Sequence, residues 1–197
     1  MKTATALVQA CIDLVAKDGV ANLSLRKVAE RAGIKAPSIY EHFANKDALL
    51  AAARGQACTC LRDTLLAHST GKTPHERLVN MGMGYLYFAE QYPALFSLMF
   101  MEFSAEHEGL HAPFGEDDPY VVLRSAVADF LSDDGPIADA MSFGVWSLVH
   151  GAAVLRHTHL QGFAAPLDMF TTQHLNALLD GWAEQTKAAV RRSRAKA

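Results

Sequence analysis

The chain has 197 residues, 50% hydrophobic and 20% charged, with a formal net charge of −3. That length covers one or two domains able to bury a core, and the composition excludes disorder. The charge is unevenly spread: residues 1–50 carry seven Lys/Arg against five Asp/Glu, 51–186 six against sixteen, and 187–197 five against none. An acidic middle between a mildly basic head and a basic tail fits a protein that meets DNA at one end only.

In chain order, Leu7, Val8, Cys11, Ile12 and Val15 repeat at helical spacing and predict a first core helix from about residue 3 to Lys17. Gln9 and Asp13 interrupt the apolar run, so it does not read as a signal peptide. Asp18-Gly19 stops that helix, and Val20 to Leu23 link it to the next. Ser24 can cap a short amphipathic helix with Leu25, Val28 and Ala29 on one face and Arg26, Lys27, Glu30 and Arg31 on the other. Ala32-Gly33 ends it, and a second short helix is predicted from about Ala36 to Phe43, with Pro37 in its first turn. Two short helices joined by a glycine turn, the second basic and aromatic, describe a helix-turn-helix, which places its second helix in the DNA major groove.

The rest also reads as helical. A long helix begins at Asn45 or Asp47 and runs to about Ala67, and Thr73, Pro74 and Glu76 start another that reaches Gln91. Pro93 opens the next, and 104–118 is a polar loop rich in glycine, proline and acids. Pro119 opens a helix to about Leu131, and two long helices follow, to about His159 and from Leu167 to about Val190. No segment alternates long enough for a strand, so the fold class is all-α with about nine helices. The expected domains are a three-helix head, 1–47, and a helical effector and dimerisation domain, 48–197.

The eighth and ninth helices carry more apolar residues than one inner face can use: Met141, Val145, Leu148, Val149, Ala152 and Leu155, then Met169, Phe170, Leu175, Leu178, Leu179 and Trp182. A helix buried on all sides in a monomer would explain this; so would pairing with a symmetry mate as a four-helix dimer interface. No run reaches the ~18 apolar residues a membrane span needs, since Met141 to Leu155 contains His150, and the cytoplasm is the expected location. Cys11, Cys58 and Cys60 suggest neither a disulfide framework nor a zinc site. His107 and His111, beside Glu106 and Glu108, have metal-ligand spacing, but Gly109 and Pro113 argue for a loop. No metal, cofactor or catalytic residue is expected. An all-α enzyme or carrier is the alternative reading, weakened by the lack of paired catalytic residues.

The helix-turn-helix residues carry a specific resemblance. Ser24-x-Arg26-Lys27-Val28-Ala29-x-x-Ala32-Gly33-Ile34, followed by Ser38-Ile39-Tyr40-x-His42-Phe43-x-x-Lys46-x-x-Leu49-Leu50, resembles the DNA-binding domain of the tetracycline-repressor (TetR) family. It departs from the family pattern at Lys35 and Pro37, where Ser or Thr and then Gly are common, and Lys35 cannot cap a helix as Ser would. The resemblance implies that Tyr40 and His42 reach phosphates, that Lys46 adds a contact at the next helix's start, and that Ser24 and Arg26 touch the backbone from the first helix. Lys35, Ala36 and Ser38 occupy the part of the unit able to meet base edges, Ala36 through a thymine methyl, and Pro37 joins them in the expected DNA-binding set.

Trp146-Ser-Leu-Val-His150-Gly151 resembles the Trp-His-Gly signature of one TetR C-terminal domain type, and Tyr92-Pro93-Ala94-Leu95-Phe96 resembles a helix entry of that type. Trp146 and His150 lie one turn apart on one helix face. They either form packed core or line an effector cavity with Met81, Tyr85, Phe88, Leu98, Met101 and Phe143. Such a lining suits an apolar ligand with one hydrogen-bonding end. The family implies a ligand-responsive homodimeric repressor of a palindromic double-stranded DNA operator, released by a small-molecule effector.

Overall fold

A computed structural model describes residues 2–100 and 118–194. Within them all regular structure is helical. The order is α1 (Lys2–Asp18), a 3-10 turn (Val20–Asn22), α2 (Leu25–Arg31), a 3-10 segment (Ala36–Glu41), α3 (Lys46–His68), α4 (Pro74–Gln91), α5 (Pro93–Phe100), α6 (Pro119–Leu131), α7 (Pro136–His157) and α8 (Leu167–Arg194). These residues fall into two compact units, one of 2–60 with 91–100, the other of 61–90 with 118–194.

The first unit is built on the buried faces of α1 and α2: Leu7, Cys11, Val28, Ala29, Ile39, Leu49 and Ala53 are at most 1% exposed. Arg31 pairs with Asp13 at 2.9 Å and so ties α2 to α1. Hydrogen bonds from Gln9 and Arg31 hold the Asp13 carboxyl below the ordinary carboxylate range. α5 belongs to this unit and packs on α1, and the Arg54 guanidinium donates to the Leu98 carbonyl at 3.1 Å.

In the second unit α6 packs on α7 and α7 on α8, around Leu78, Phe88, Val127, Met141, Val145, Leu175 and Leu179. α4 meets α8 closely: a Cβ added at Gly82 would stand 2.7 Å from Leu175 Cδ1. The start of α4 is a reciprocal cap, with the Glu76 N–H donating to Thr73 Oγ1 and the Thr73 N–H donating to the Glu76 carboxylate, both at 3.1 Å. Asp118 caps α6 by accepting the Tyr120 N–H at 2.8 Å. Arg156, its side chain 11% exposed, pairs with Glu90 at 2.6 Å and also with Asp168, so one guanidinium joins α7 to the end of α4 and the start of α8.

The structure corrects three expectations. The second helix of the helix-turn-helix is of the 3-10 kind and ends at Glu41, two residues before Phe43. α8 continues to Arg194, so part of the basic tail is helical. α7, with 22 residues, is long and apolar enough to cross a membrane by length and composition. Counting only uninterrupted apolar residues stopped at His150 and missed this. Of its most apolar window 33% is buried, and the test is one of length and composition alone, which a core helix of a soluble protein also passes.

Candidate functional site

The helix-turn-helix is set by backbone bonds at close range. Ser24 has extended dihedrals, and its hydroxyl oxygen accepts the Lys27 N–H at 3.3 Å, capping α2. At the far end Gly33 takes φ +71. The Ile34 N–H then reaches the Ala29 carbonyl at 3.0 Å, and the Gly33 N–H reaches Glu30 at 3.2 Å. This double bond pattern closes a helix through a left-handed glycine.

Lys35 then opens the 3-10 segment without a side-chain cap. Its carbonyl accepts the Ser38 N–H at 2.9 Å, and Pro37 has no N–H to satisfy. Ile39, 1% exposed, anchors the segment from behind. Asn45 Oδ1 caps α3 by accepting the Ala48 N–H at 2.8 Å.

With the segment held from inside, Ser24, Arg26, Lys35, Ala36, Pro37, Tyr40 and His42 are exposed, Tyr40 at 62%; Ser38 is half-buried. Arg26 pairs with Glu30 at 3.0 Å, both largely in solvent. An ion pair so exposed is weakly held, so a phosphate can compete for the guanidinium. Lys46 is half-buried and its ammonium donates to the Val20 carbonyl at 2.9 Å. That bond pins the 3-10 turn after α1 to the start of α3. An ammonium has three donors, so a phosphate contact remains compatible with it.

The other predicted group falls mostly in the second unit. Met81, Tyr85 and Phe88 lie on α4 and are 2%, 4% and 0% exposed. Tyr85 and His150 are joined by a 2.8 Å hydrogen bond between the phenol oxygen and Nδ1, and their rings meet edge to face at 6.2 Å. Trp146 meets His150 edge to face at 6.4 Å. Burial pushes the Tyr85 phenol up, an effect partly offset by a hydrogen bond with Trp146. Burial pushes His150 down. Both groups are therefore held neutral near pH 7.

Sequence reasoning missed Tyr120, whose ring lies 5.6 Å from that of Trp146. Its position one residue after a helix-opening proline was the available signal.

Phe143 is 65% exposed on α7, two turns toward the helix start from His150. Leu98 is buried in the first unit, 1% exposed. Met101 lies outside the described residues, as do Glu106, His107, Glu108 and His111. Among the described residues no three His, Cys, Asp or Glu side chains are placed to hold a metal ion.

Comparison with known proteins agrees with this arrangement. Residues 7–53 match the model for bacterial regulatory proteins of the tetR family, and residues 78–178 match the tetracyclin repressor-like C-terminal domain. Over 44 residues the chain is 48% identical to the class A tetracycline repressor protein from transposon 1721 of Escherichia coli. That stretch is 22% of this chain, and it spans only 20% of the relative's length.

Among solved structures, a protein of unknown function from Rhodococcus sp. RHA1 has a TM-score of 0.74 at 24% identity, covering 92% of this chain and 95% of that one. A tetR-family transcriptional regulator from Streptomyces coelicolor gives 0.71 at 23%, covering 96% and 89%. A TetR variant from Acinetobacter baumannii AYE in complex with minocycline gives 0.63 at 20%, covering 91% and 96%. At these identities the likeness is one of fold. Taken with the two family matches, it places the chain in the TetR family of bacterial transcriptional regulators, whose N-terminal helix-turn-helix binds DNA.

Proposed function

We propose that this chain is a homodimeric transcriptional repressor that a small apolar or aromatic effector releases from a palindromic operator. Residues 1–47 form the reading head and 48–197 the effector and dimerisation domain. The observation that carries the reading is the outward set of Arg26, Lys35, Tyr40 and His42, all exposed around a segment whose Ile39 is buried. Cations and a phenol held this way can neutralise and hydrogen-bond phosphates, which supplies affinity, while Lys35, Ala36, Pro37 and Ser38 meet base edges.

For the dimer, the supporting feature is an apolar surface on the last two helices. Phe143 and Leu155 on α7 are 65% and 46% exposed, and Met169 and Phe170 on α8 are 49% and 39% exposed. Met141, Val145, Val149, Leu175 and Leu179 are taken up by the core of the unit, and the exposed residues are the surplus. Apolar side chains left in solvent on two helices adjacent in sequence suit a two-fold interface, and a two-fold dimer reads half-sites about one helical turn apart or a multiple of it.

Trp146, His150 and Gly151 support assignment to the Trp-His-Gly type of effector domain. An effector that binds one state of the dimer better than the other lowers DNA affinity by that difference, and α3 links the two domains along the chain. Such a regulator works beside the chromosome, in the cytoplasm.

The test is a mobility shift with the chain's own upstream DNA, with and without lipophilic compounds. Retardation reversed by a compound supports the reading, and no retardation at any salt concentration sinks it. Sedimentation showing only monomer while operator binding stays intact would remove the dimer.

A further inference from the structure

The cations of the reading head are almost all committed to the protein itself. Between Ser24 and Lys46 the chain holds five Lys and Arg residues. Arg26 pairs with Glu30, and Arg31 with Asp13. The Lys27 ammonium donates to the Asn22 carbonyl at 3.0 Å, and that of Lys46 to the Val20 carbonyl at 2.9 Å. Lys35 is exposed, and among the described residues its side chain has no hydrogen bond or ion pair. Its place explains the difference. Lys35 is the cap residue of the 3-10 segment, at φ −70 and ψ 140, and its side chain caps nothing. The Ser or Thr common in the TetR family at that point can turn an oxygen back to the segment's own N–H groups. An ammonium has no acceptor and cannot do so, which leaves the whole side chain to reach outward.

We propose that Lys35 sets the base preference of this head by donating to guanine O6 and N7 in the major groove, once in each half-site. This rests on the regulator reading given above and adds the base that the head selects. A recognition element meets base edges with its N-terminal residues, and Lys35 opens the segment. Guanine alone offers two acceptors and no donor on its major-groove edge. Adenine and cytosine place an amino group there, which opposes an ammonium, and thymine places a methyl. The flexible four-carbon stem of lysine carries three rotatable donors to that edge. Ala36 and Pro37 come next and are exposed, and their side chains hold no donor, acceptor or charge. They neither compete with Lys35 nor neutralise it. Phosphate contacts are left to Tyr40 and His42 toward the other end of the segment.

The first test enriches binding sites from random duplex DNA with the full-length protein, Lys35→Met and Lys35→Arg. The parent and Lys35→Arg should select a palindrome with the same guanine in each half. Lys35→Met should keep the palindrome and accept any base at that position, while unfolding at the parent's temperature. An unchanged guanine preference in Lys35→Met overturns the proposal, whether or not affinity falls. A loss equal for every sequence, with the salt slope lower by about one unit, overturns it too and makes Lys35 a phosphate contact.

The second test acts on the DNA, so it stands even where a variant fails to fold. 7-Deazaguanine, which lacks N7, replaces the guanines of the selected operator one at a time. At the selected position the parent's affinity in anisotropy titrations should fall about fivefold, and that of Lys35→Met should not change. If no single replacement weakens the parent, the proposal is overturned. A parent protein that retards no DNA sinks the regulator reading and this proposal together. Binding with a preference indifferent to Lys35 sinks this proposal alone.

Discussion

The two predicted sites are built on opposite plans. In the head, the working side chains point outward and the backbone behind them is fixed by bonds between near neighbours, Ser24 to Lys27, Ala29 to Ile34 and Lys35 to Ser38. In the C-terminal unit the working groups point inward, and the bond that organises them joins Tyr85 to His150, 65 residues apart in sequence. The head can therefore keep its shape while its surface chemistry is exchanged. The inner group cannot lose Tyr85 or His150 without breaking a hydrogen bond set among buried apolar residues.

The contrast can be broken by experiment. Its largest test is Ile39→Ala. Removing that buried anchor should cost about 2–4 kcal/mol of head stability in chemical denaturation and abolish operator binding. Tyr85→Phe should follow. Removing the hydroxyl that is bonded to His150 Nδ1 should cost about 1–3 kcal/mol by thermal unfolding. DNA affinity without effector should stay as it was.

Tyr40→Ala should do the reverse. Binding to every sequence weakens by about tenfold in anisotropy titrations, because a phosphate contact is lost. The unfolding temperature stays unchanged, since the side chain is 62% exposed.

Lys46→Met sits between the two plans. It should flatten the salt dependence of DNA binding by about one unit and also lower stability by about 1 kcal/mol as the Val20 carbonyl loses one donor and keeps the Leu23 N–H. The smallest effect concerns Cys11, whose thiol burial pushes up to about 11. A thiol so raised holds almost no thiolate at pH 8, so iodoacetamide should leave Cys11 unmodified in the folded protein, as read by mass spectrometry. Labelling of the native chain at Cys11 would mean that the interior of the head opens readily.

This contrast also explains what the sequence made legible. A capping serine, a glycine at a left-handed turn and apolar residues at helical spacing act over three to five positions, so the helix-turn-helix could be read directly. What escaped was whatever depended on a distant partner. The segment with Pro37 and no side-chain cap at Lys35 is a 3-10 turn, although its residues count as a short helix. Lys46 reads as a DNA contact, but its second bond, to the carbonyl of Val20, 26 residues away, could not be read from spacing. Phe143 lies near the same helix face as His150 by periodicity, but periodicity cannot say which length of a face is covered. Tyr120 was passed over because its partner, Trp146, is on another helix.

Arg156 has a consequence of its own. A guanidinium is flat and rigid, and its separate N–H edges serve Glu90 and Asp168 from fixed directions. Three helix ends are thus referenced to one plane, like beams set against a common gusset. Sliding of α8 along α7 would tilt that plate and disturb the carboxylate at the end of α4 in the same movement. A lysine there would keep the charge and lose the alignment, so Arg156→Lys would let the three ends drift independently while the net charge of the protein stayed the same.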